Sequence, residues 1–349
     1  MDPIKQWRKT CPTPPGEIPY GPFAREVDGL MYSIDMFRPR FPILWQRLRC
    51  SDAAGNPLPV NDENLLRAFR DLLFGCFDKH PEYFDGDGRL NGNIHWWSFS
   101  GVRVTLHKFI PFSGSRIGNL TVREPNYSCL LEFNPNKCMD NPVILPLIRR
   151  LKEICGPTFC WHNTRIDFTV DVPRPIKDVR LLTRKVGSSY NGTYYFGTRG
   201  SSGYTRVYDK RREMKDHYNV DIGREVTRVE YELRSGVPAT LDPPYLLAPD
   251  LGRYEVLRYV AMADMIPAIR TFDERTAAKI KKTCFEEVPF DASIFEGLRD
   301  DLFRYLELDP ARCMDRVEKN ALDAAAAEQE ASELERLMAA LRRFSGSYD

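Results

Sequence analysis

This chain lacks the patterns that most readily classify a protein. Its nine cysteines are odd in number and scattered, no Cys-x-x-Cys pair occurs, and Cys155 and Cys160 lie nearest each other. A disulfide framework or a zinc ribbon is therefore not expected, and a reducing cytoplasm fits the cysteine usage. The five histidines, His80, His95, His107, His162 and His217, form no His-x-His pair. No run approaches the roughly 18 apolar residues of a membrane span, and the start Met1-Asp2-Pro3-Ile4-Lys5-Gln6-Trp7 has no apolar signal core. No membrane association is expected. Excess charge is missing too. Fifty basic against 49 acidic residues leave a net +1, so affinity for a polyanion must come from local patches. The Walker phosphate-loop pattern is absent, and Gly197-Thr198-Arg199-Gly200-Ser201-Ser202-Gly203 reads as a glycine-rich hairpin loop.

What is present is ample material for a core and an order of elements that appears twice. The first pass predicts a strand at 29–37, a helix at 62–75 and strands near 93–99, 102–110 and 127–134. In that helix Leu65, Leu66, Phe69, Leu72 and Leu73 share a face, Asn61 or Asp62 caps the start and Gly75 stops the end. A connecting helix runs from the Asn141-Pro142 start to Gly156. The second pass predicts a strand at 159–171, a helix at 175–188, strands near 192–197, 204–210 and 225–234, and a helix at 251–265. Ser33-Ile34-Asp35 echoes Arg165-Ile166-Asp167, and Leu131-Glu132-Phe133 echoes Val229-Glu230-Tyr231. This is either an internal duplication or the chance recurrence of a common α+β order. The expected fold class is α+β. Duplicated β-α-β-β-β units form a mainly antiparallel sheet with helices on one face, followed by a helical C-terminal region. The expected divisions are a flexible arm at 1–24, a first α+β half at 25–156, a catalytic α+β half at 157–245 and the helical region at 246–349.

The chemistry concentrates in three alternating segments. Tyr204, Arg206, Tyr208 and Lys210 share a face of one predicted strand. Arg228, Glu230, Glu232 and Arg234 share a face of another, and Asp167, Thr169 and Asp171 share a face of the third. Residues i and i+2 on a strand lie roughly 7 Å apart, so Glu230 and Glu232 can converge on one cation. Asp167 and Asp171 are about 13 Å apart by the same geometry, which makes Asp171 the weaker candidate. Clustered carboxylates repel unless a cation neutralises them, and oxygen donors suit Mg²⁺ or Mn²⁺. The plainer alternative pairs these acids with Arg165, Arg228 and Arg234. Tyr208 is the candidate nucleophile, with Lys210 placed to lower its pKa or to hold a phosphate, because a free phenol titrates near pH ~10. Tyr194, Tyr195 and Tyr204 compete with it. The most basic stretch, Arg184 to Lys215, contains this tyrosine.

Over about 160–235 the chain resembles the replication initiation factor family, the rolling-circle initiators of small plasmids and filamentous phages. Four blocks carry the likeness: Thr164-Arg165-Ile166-Asp167, Thr193-Tyr194-Tyr195-Phe196-Gly197-Thr198-Arg199, Arg206-Val207-Tyr208-Asp209-Lys210 with Glu213, and Arg228-Val229-Glu230-Tyr231-Glu232-Leu233. The resemblance implies an initiator that binds a double-strand origin as a homodimer and nicks one strand in a single-stranded or hairpin site. Tyr208 would become linked to the 5′-phosphate, and the free 3′-OH would prime synthesis. It implies a cation held by Asp167, Glu230 and Glu232, with Asp171 less certain, and a host helicase as partner. Arg199, Arg206, Arg211 and Arg212 would contact DNA, and Arg275, Lys279, Lys281 and Lys282 would add a basic stretch toward the C-terminus. Many nicking enzymes hold their metal with a His-x-His pair, so here the metal would rest on carboxylates. Two rival readings are a mobilisation relaxase or transposase-like strand-transfer enzyme, and a non-catalytic DNA-binding regulator on the same fold.

Overall fold

Long runs that alternate apolar with polar residues, separated by two-residue turns, give this chain its sheet. The computed structural model describes residues 18, 20–43, 62–77, 84–91, 93–109, 115–117, 120–122, 126–138, 141, 144–155, 160–182, 187–200, 203–234, 256–260, 273–276 and 285–313. In chain order the first half comprises β1 (Ala24–Val27), β2 (Leu30–Ile43), α1 (Asp62–Phe77), β3 (Phe84–Asn91), β4 (Ile94–Phe99), β5 (Val102–Phe109), β6 (Ser115–Ile117), β7 (Leu120–Val122), β8 (Asn126–Glu132), α2 (Pro135–Cys138) and α3 (Ile144–Cys155). The second comprises β9 (His162–Val172), β10 (Val179–Leu182), β11 (Gly187–Tyr190), β12 (Thr193–Phe196), β13 (Tyr204–Asp209), α4 (Lys210–Tyr218) and β14 (Thr227–Arg234). Then follow β15 (Val256–Val260), β16 (Phe285–Pro289) and α5 (Ala292–Tyr305).

One antiparallel sheet dominates, in the order β11-β12-β13-β14-β9-β2-β8-β5-β4-β3, with β1 added beside β2. The path is the same read outward from its centre. From β2 it passes to β8, β5, β4 and β3; from β9 it passes to β14, β13, β12 and β11. Each half is thus a first strand paired with the last strand of its own four-strand meander, and β2 joins β9 in the middle. Tight turns hold the hairpins. Ser100-Gly101 and Asn191-Gly192 both have positive φ at each residue, as a two-residue turn matched to strand twist requires.

The two faces of the sheet differ in kind. Ile166, Phe168 and Val170 of β9, Val229 and Leu233 of β14 and Leu131 of β8 join one buried core with Leu65, Phe69 and Leu73 of α1, Leu147, Ile148 and Leu151 of α3, and Phe295, Leu298 and Leu302 of α5. Phe295 meets Phe168 with ring centroids 4.7 Å apart and Tyr32 at 5.2 Å. Asp291 caps α5 by accepting from the Ser293 amide. The opposite side chains of β9, β13 and β14 are charged or hydroxylic, and many are still buried.

Three expectations change. The helix at 175–188 is a single 3₁₀ turn, Ile176–Asp178, followed by β10 and β11. The Pro173-Arg174-Pro175 lead-in bends the chain, with the Arg174 amide donating to the Val172 carbonyl at 2.7 Å, and leaves Pro175 extended rather than helical. At 251–265 the described residues form a strand, β15, paired between β10 and β16 rather than a helix. Its Val-Leu-Arg-Tyr-Val run is rich in β-formers. Gly75 does not stop α1, which continues to Phe77. The Ala- and Glu-rich stretch from 315 to 344 and Lys279, Lys281 and Lys282 lie outside the described residues.

Candidate functional site

The charged face is built by strand register. Across β13, β14 and β9 three rows stand side by side: Tyr204–Glu232–Asp167, Arg206–Glu230–Thr169 and Tyr208–Arg228–Asp171. β2 extends the second row with Ser33. Its pairing with β9 slips by one residue between Ile34 and Met36, which leaves Asp35 as the extra residue of a bulge. The slip lets Asp35 reach Arg228.

Tyr208 lies on the face that holds Asp167, Glu230 and Glu232. Its hydroxyl is 3.4 Å from Glu230 Oε2, a diagonal cross-strand contact. Burial pushes the phenol well above its ordinary value, and Glu230 and Glu213 push it further, against Arg228. The hydroxyl is therefore protonated and oriented toward a carboxylate. Of the competing tyrosines, Tyr194 pairs with Val207 and so falls on the opposite face. Tyr195 and Tyr204 share the Tyr208 face and stack on each other at 6.2 Å, and Tyr204 is buried.

Lys210 is not on the strand. Asp209 ends β13 and caps α4 by accepting from the Arg212 amide at 3.0 Å, so Lys210 becomes the first helical residue. Its ammonium donates to Glu213 at 2.6 Å and lines a small polar cavity with Asp35, Lys137 and Arg228. Burial lowers its pKa, and Arg228 lowers it further. Lys210 thus sits on the Arg228 side of the site, with Glu213 as its partner.

Arg228 is the hub that the sequence assigned to no role beyond pairing. It is buried and donates to both oxygens of Asp171, at 2.6 and 2.7 Å, and to Asp35 at 2.7 Å. The Tyr20 hydroxyl donates to Asp171 at 2.6 Å. Both oxygens of Asp171 are thereby engaged, and Asp171 stands apart from Asp167, Glu230 and Glu232, sharing Arg228 with Asp35. Tyr20 and Ile18, from the segment expected to be an arm, pack beside Met214, Ile222 and Val226.

The remaining acids are also met by arginines, as the plainer reading of the sequence expects. Arg165 donates to Asp167 at 2.7 Å and reaches Glu232 at 3.1 Å. Arg206 pairs with Glu230, and Arg234 with Glu232. Among the described residues, no three His, Cys, Asp or Glu side chains form a ready metal cage. Burial first, then Glu230 and Glu232, nonetheless raise the Asp167 carboxyl above its ordinary value in spite of Arg165. Of the other proposed DNA contacts, Arg199 and Arg212 are exposed and Arg211 is half-buried. Arg211 pairs with Asp221 and Glu225, Arg212 with Asp216, and Arg199 lies in the loop before β13. Arg275 is described and exposed.

With this geometry in hand, no family model matches the chain. It is similar to curated replication initiation proteins of Staphylococcus aureus. One is 28% identical over 149 residues, covering 39% of this chain and 47% of the relative. Another is 27% identical over 165 residues, covering 44% and 50%. The chain spans about half the length of the curated relatives it matches. Their name agrees with the family that the four sequence blocks resemble. A solved rolling circle replication initiator protein from Geobacillus stearothermophilus is 16% identical, covering 82% of this chain and all of that one, at a TM-score of 0.33. An overlay that loose supports no conclusion about this chain.

Proposed function

We propose that this chain starts rolling-circle replication by nicking one strand of a double-strand origin through Tyr208. The observation that carries the reading is the Tyr208 hydroxyl 3.4 Å from Glu230, on the face that also holds Asp167 and Glu232. In the reaction the phenolic oxygen forms a bond to the scissile phosphorus and the P–O3′ bond breaks. The phenolic proton passes to Glu230, and the departing 3′ oxygen takes a proton from solvent. The products are a 5′-phosphotyrosyl link and a free 3′-OH. Burial holds the phenol protonated, which favours transfer only when the phosphate is in place. Arg206, partly exposed beside Glu230, meets the incoming phosphate.

Asp167, Glu230 and Glu232 are the residues that would hold Mg²⁺ or Mn²⁺. The fit is one of donor chemistry: the three supply oxygen only, and Asp167 is buried beside two further carboxylates that raise it. When bound, such an ion would neutralise charge developing on the phosphate oxygens.

Incubation with Mn²⁺ and origin-bearing supercoiled DNA is expected to give a nicked circle with protein covalently attached. Tyr208→Phe is expected to bind the origin and form no adduct. An adduct formed by Tyr208→Phe, with the nucleotide found on Tyr195 or Tyr204 by peptide mass spectrometry, would assign the nucleophile elsewhere.

A further inference from the structure

One row of the charged face lies beside the chemistry above and touches it only where Arg165 and Arg234 pair with Asp167 and Glu232. Arg234, Arg165 and Arg38 are direct partners across β14, β9 and β2. Glu132 of β8 continues the row, with its carboxylate 3.4 Å from Arg38 Nε, and Arg103 of β5 pairs with Glu132 in register. Arg103 in turn lies 5.1 Å over the ring of Trp96 on β4. Four guanidinium groups and one glutamate thus line up over five neighbouring strands, a track of about 19 Å at the usual strand spacing.

Like charges placed directly opposite each other destabilise a sheet. Arg234 and Arg165 are offset by Glu232, and Arg165 also by Asp167. Arg38 is not offset to the same degree. Its Nε makes no hydrogen bond, and its pKa is lowered by burial first, then by Arg234, Arg165 and Arg103, against the single charge of Glu132. The side chains remain reachable, with Arg165, Arg38, Arg234 and Glu132 between 19% and 31% exposed. An excess of fixed positive charge at a partly open surface is stabilised by an anion with several oxygens.

We infer that the row Arg234–Arg165–Arg38–Arg103 is a track for the phosphates of single-stranded DNA beside the nicking site, ending on Trp96 as a stacking surface for a base. The first half of the sheet then carries substrate and the second half carries chemistry. A positive groove with an aromatic end is the usual means of gripping a single strand without reading its sequence. The inference rests on the reading that this face receives DNA.

The test uses the full chain and a fluorescent oligothymidylate without an origin sequence. Removing one arginine–phosphate pair lowers the slope of log affinity against log salt by about 0.7 for a single strand. Arg38→Gln with Arg103→Gln is expected to reduce that slope by about 1.4, and Arg38→Lys with Arg103→Lys to keep it. A wild-type slope in the glutamine pair overturns the track. A second measurement needs no variant. Phenylglyoxal labelling of the wild-type protein is expected to spare Arg38 and Arg103 when the oligonucleotide is bound. Equal labelling with and without it, or equal protection by inorganic phosphate, overturns the track. Tyr208 adduct formation is read separately. A reduced slope in the glutamine pair together with no adduct in the wild type would keep the track and reject the nicking reaction.

Discussion

Replacing Arg228 by methionine isolates what the buried ion network contributes. Arg228 is the shared partner of Asp171 and Asp35, through three hydrogen bonds of 2.6 to 2.7 Å. Methionine removes the guanidinium and leaves two carboxylates on a buried face. Breaking a buried pair by removing one partner costs about 3–5 kcal/mol, because the other charge stays uncompensated. The cost should depend on pH, and its sign follows from Asp35. Burial raises the pKa of that group, but Arg228, Lys210 and Lys137 outweigh burial and hold it well below the ordinary carboxylate value. A depressed pKa contributes stability that is present above the unfolded value, near 4, and lost as pH falls through the folded value. Without Arg228 the balance reverses. Burial then dominates at Asp35, its carboxyl holds a proton more tightly when folded, and stability of the variant falls as pH rises above about 4. Urea denaturation at a series of pH values is the assay. The deficit should be about 3–5 kcal/mol at pH 7, shrink in part toward pH 4 as the variant's Asp35 takes up a proton, and approach the about 1–2 kcal/mol of lost hydrogen bonds only below pH 4, as the wild-type ion pair is itself protonated. Arg228→Met with Asp35→Asn and Asp171→Asn should recover much of the loss at pH 7. A deficit that is constant between pH 4 and 8, or one below about 1 kcal/mol, would refute the account of Arg228 as a charge-compensating hub.

Three further outcomes follow from the same geometry. Mn²⁺ binding at pH 7 should release protons, since burial, Glu230 and Glu232 raise the Asp167 carboxyl above its ordinary value and it must ionise to hold the ion. Calorimetry in buffers of different ionisation enthalpy reads the release, which should shrink as pH rises and be lost in Asp167→Asn. Lys210→Met should leave Glu213 half-buried without its partner and cost about 1–3 kcal/mol in denaturation, while an adduct still forms at Tyr208. Phe295→Ala should cost about 3–5 kcal/mol, because the ring packs fully buried against Phe168 and Tyr32. An unchanged denaturation midpoint would show that α5 does not secure the helical side of the sheet.

The strands that carry the charged face were legible because alternation survives wherever one side of a strand is apolar. Ile166, Phe168 and Val170 alternate with Asp167, Thr169 and Asp171, and the structure puts the first set in the core and the second on the charged face. The meander before β9 was legible for the same reason. Edge strands were not. β3, Phe-Asp-Gly-Asp-Gly-Arg-Leu-Asn, and β11, Gly-Ser-Ser-Tyr, show no apolar alternation, and each pairs with a single neighbour, while Phe84 of β3 packs on Phe74 and Phe99. α4 escaped notice because its nine residues offer only Met214 and Tyr218 as an apolar pair. Its ends were nonetheless written in the chain, with Asp209 as N-cap and Asn219 in the left-handed conformation at the C-cap. Reading that cap would have moved Lys210 off the Tyr208 strand.

What no alternation pattern shows is which charges meet across strands. Spacing along one strand places Glu230 and Glu232 together, yet their counter-charges, Arg206 and Arg165, come from different strands and depend on register. The role of Asp35 depends on a one-residue slip in β2, which turns an echo of Asp167 into a partner of Arg228. The duplicated topology makes the consequence general. Two halves joined at β2 and β9 present one continuous charged face, so a single strand of DNA lying across it would meet arginines from the first half and the tyrosine from the second. Had the halves folded as separate sheets, Arg38 would have no reason to stand opposite Arg165, and its electrostatic cost would have no ligand to offset it.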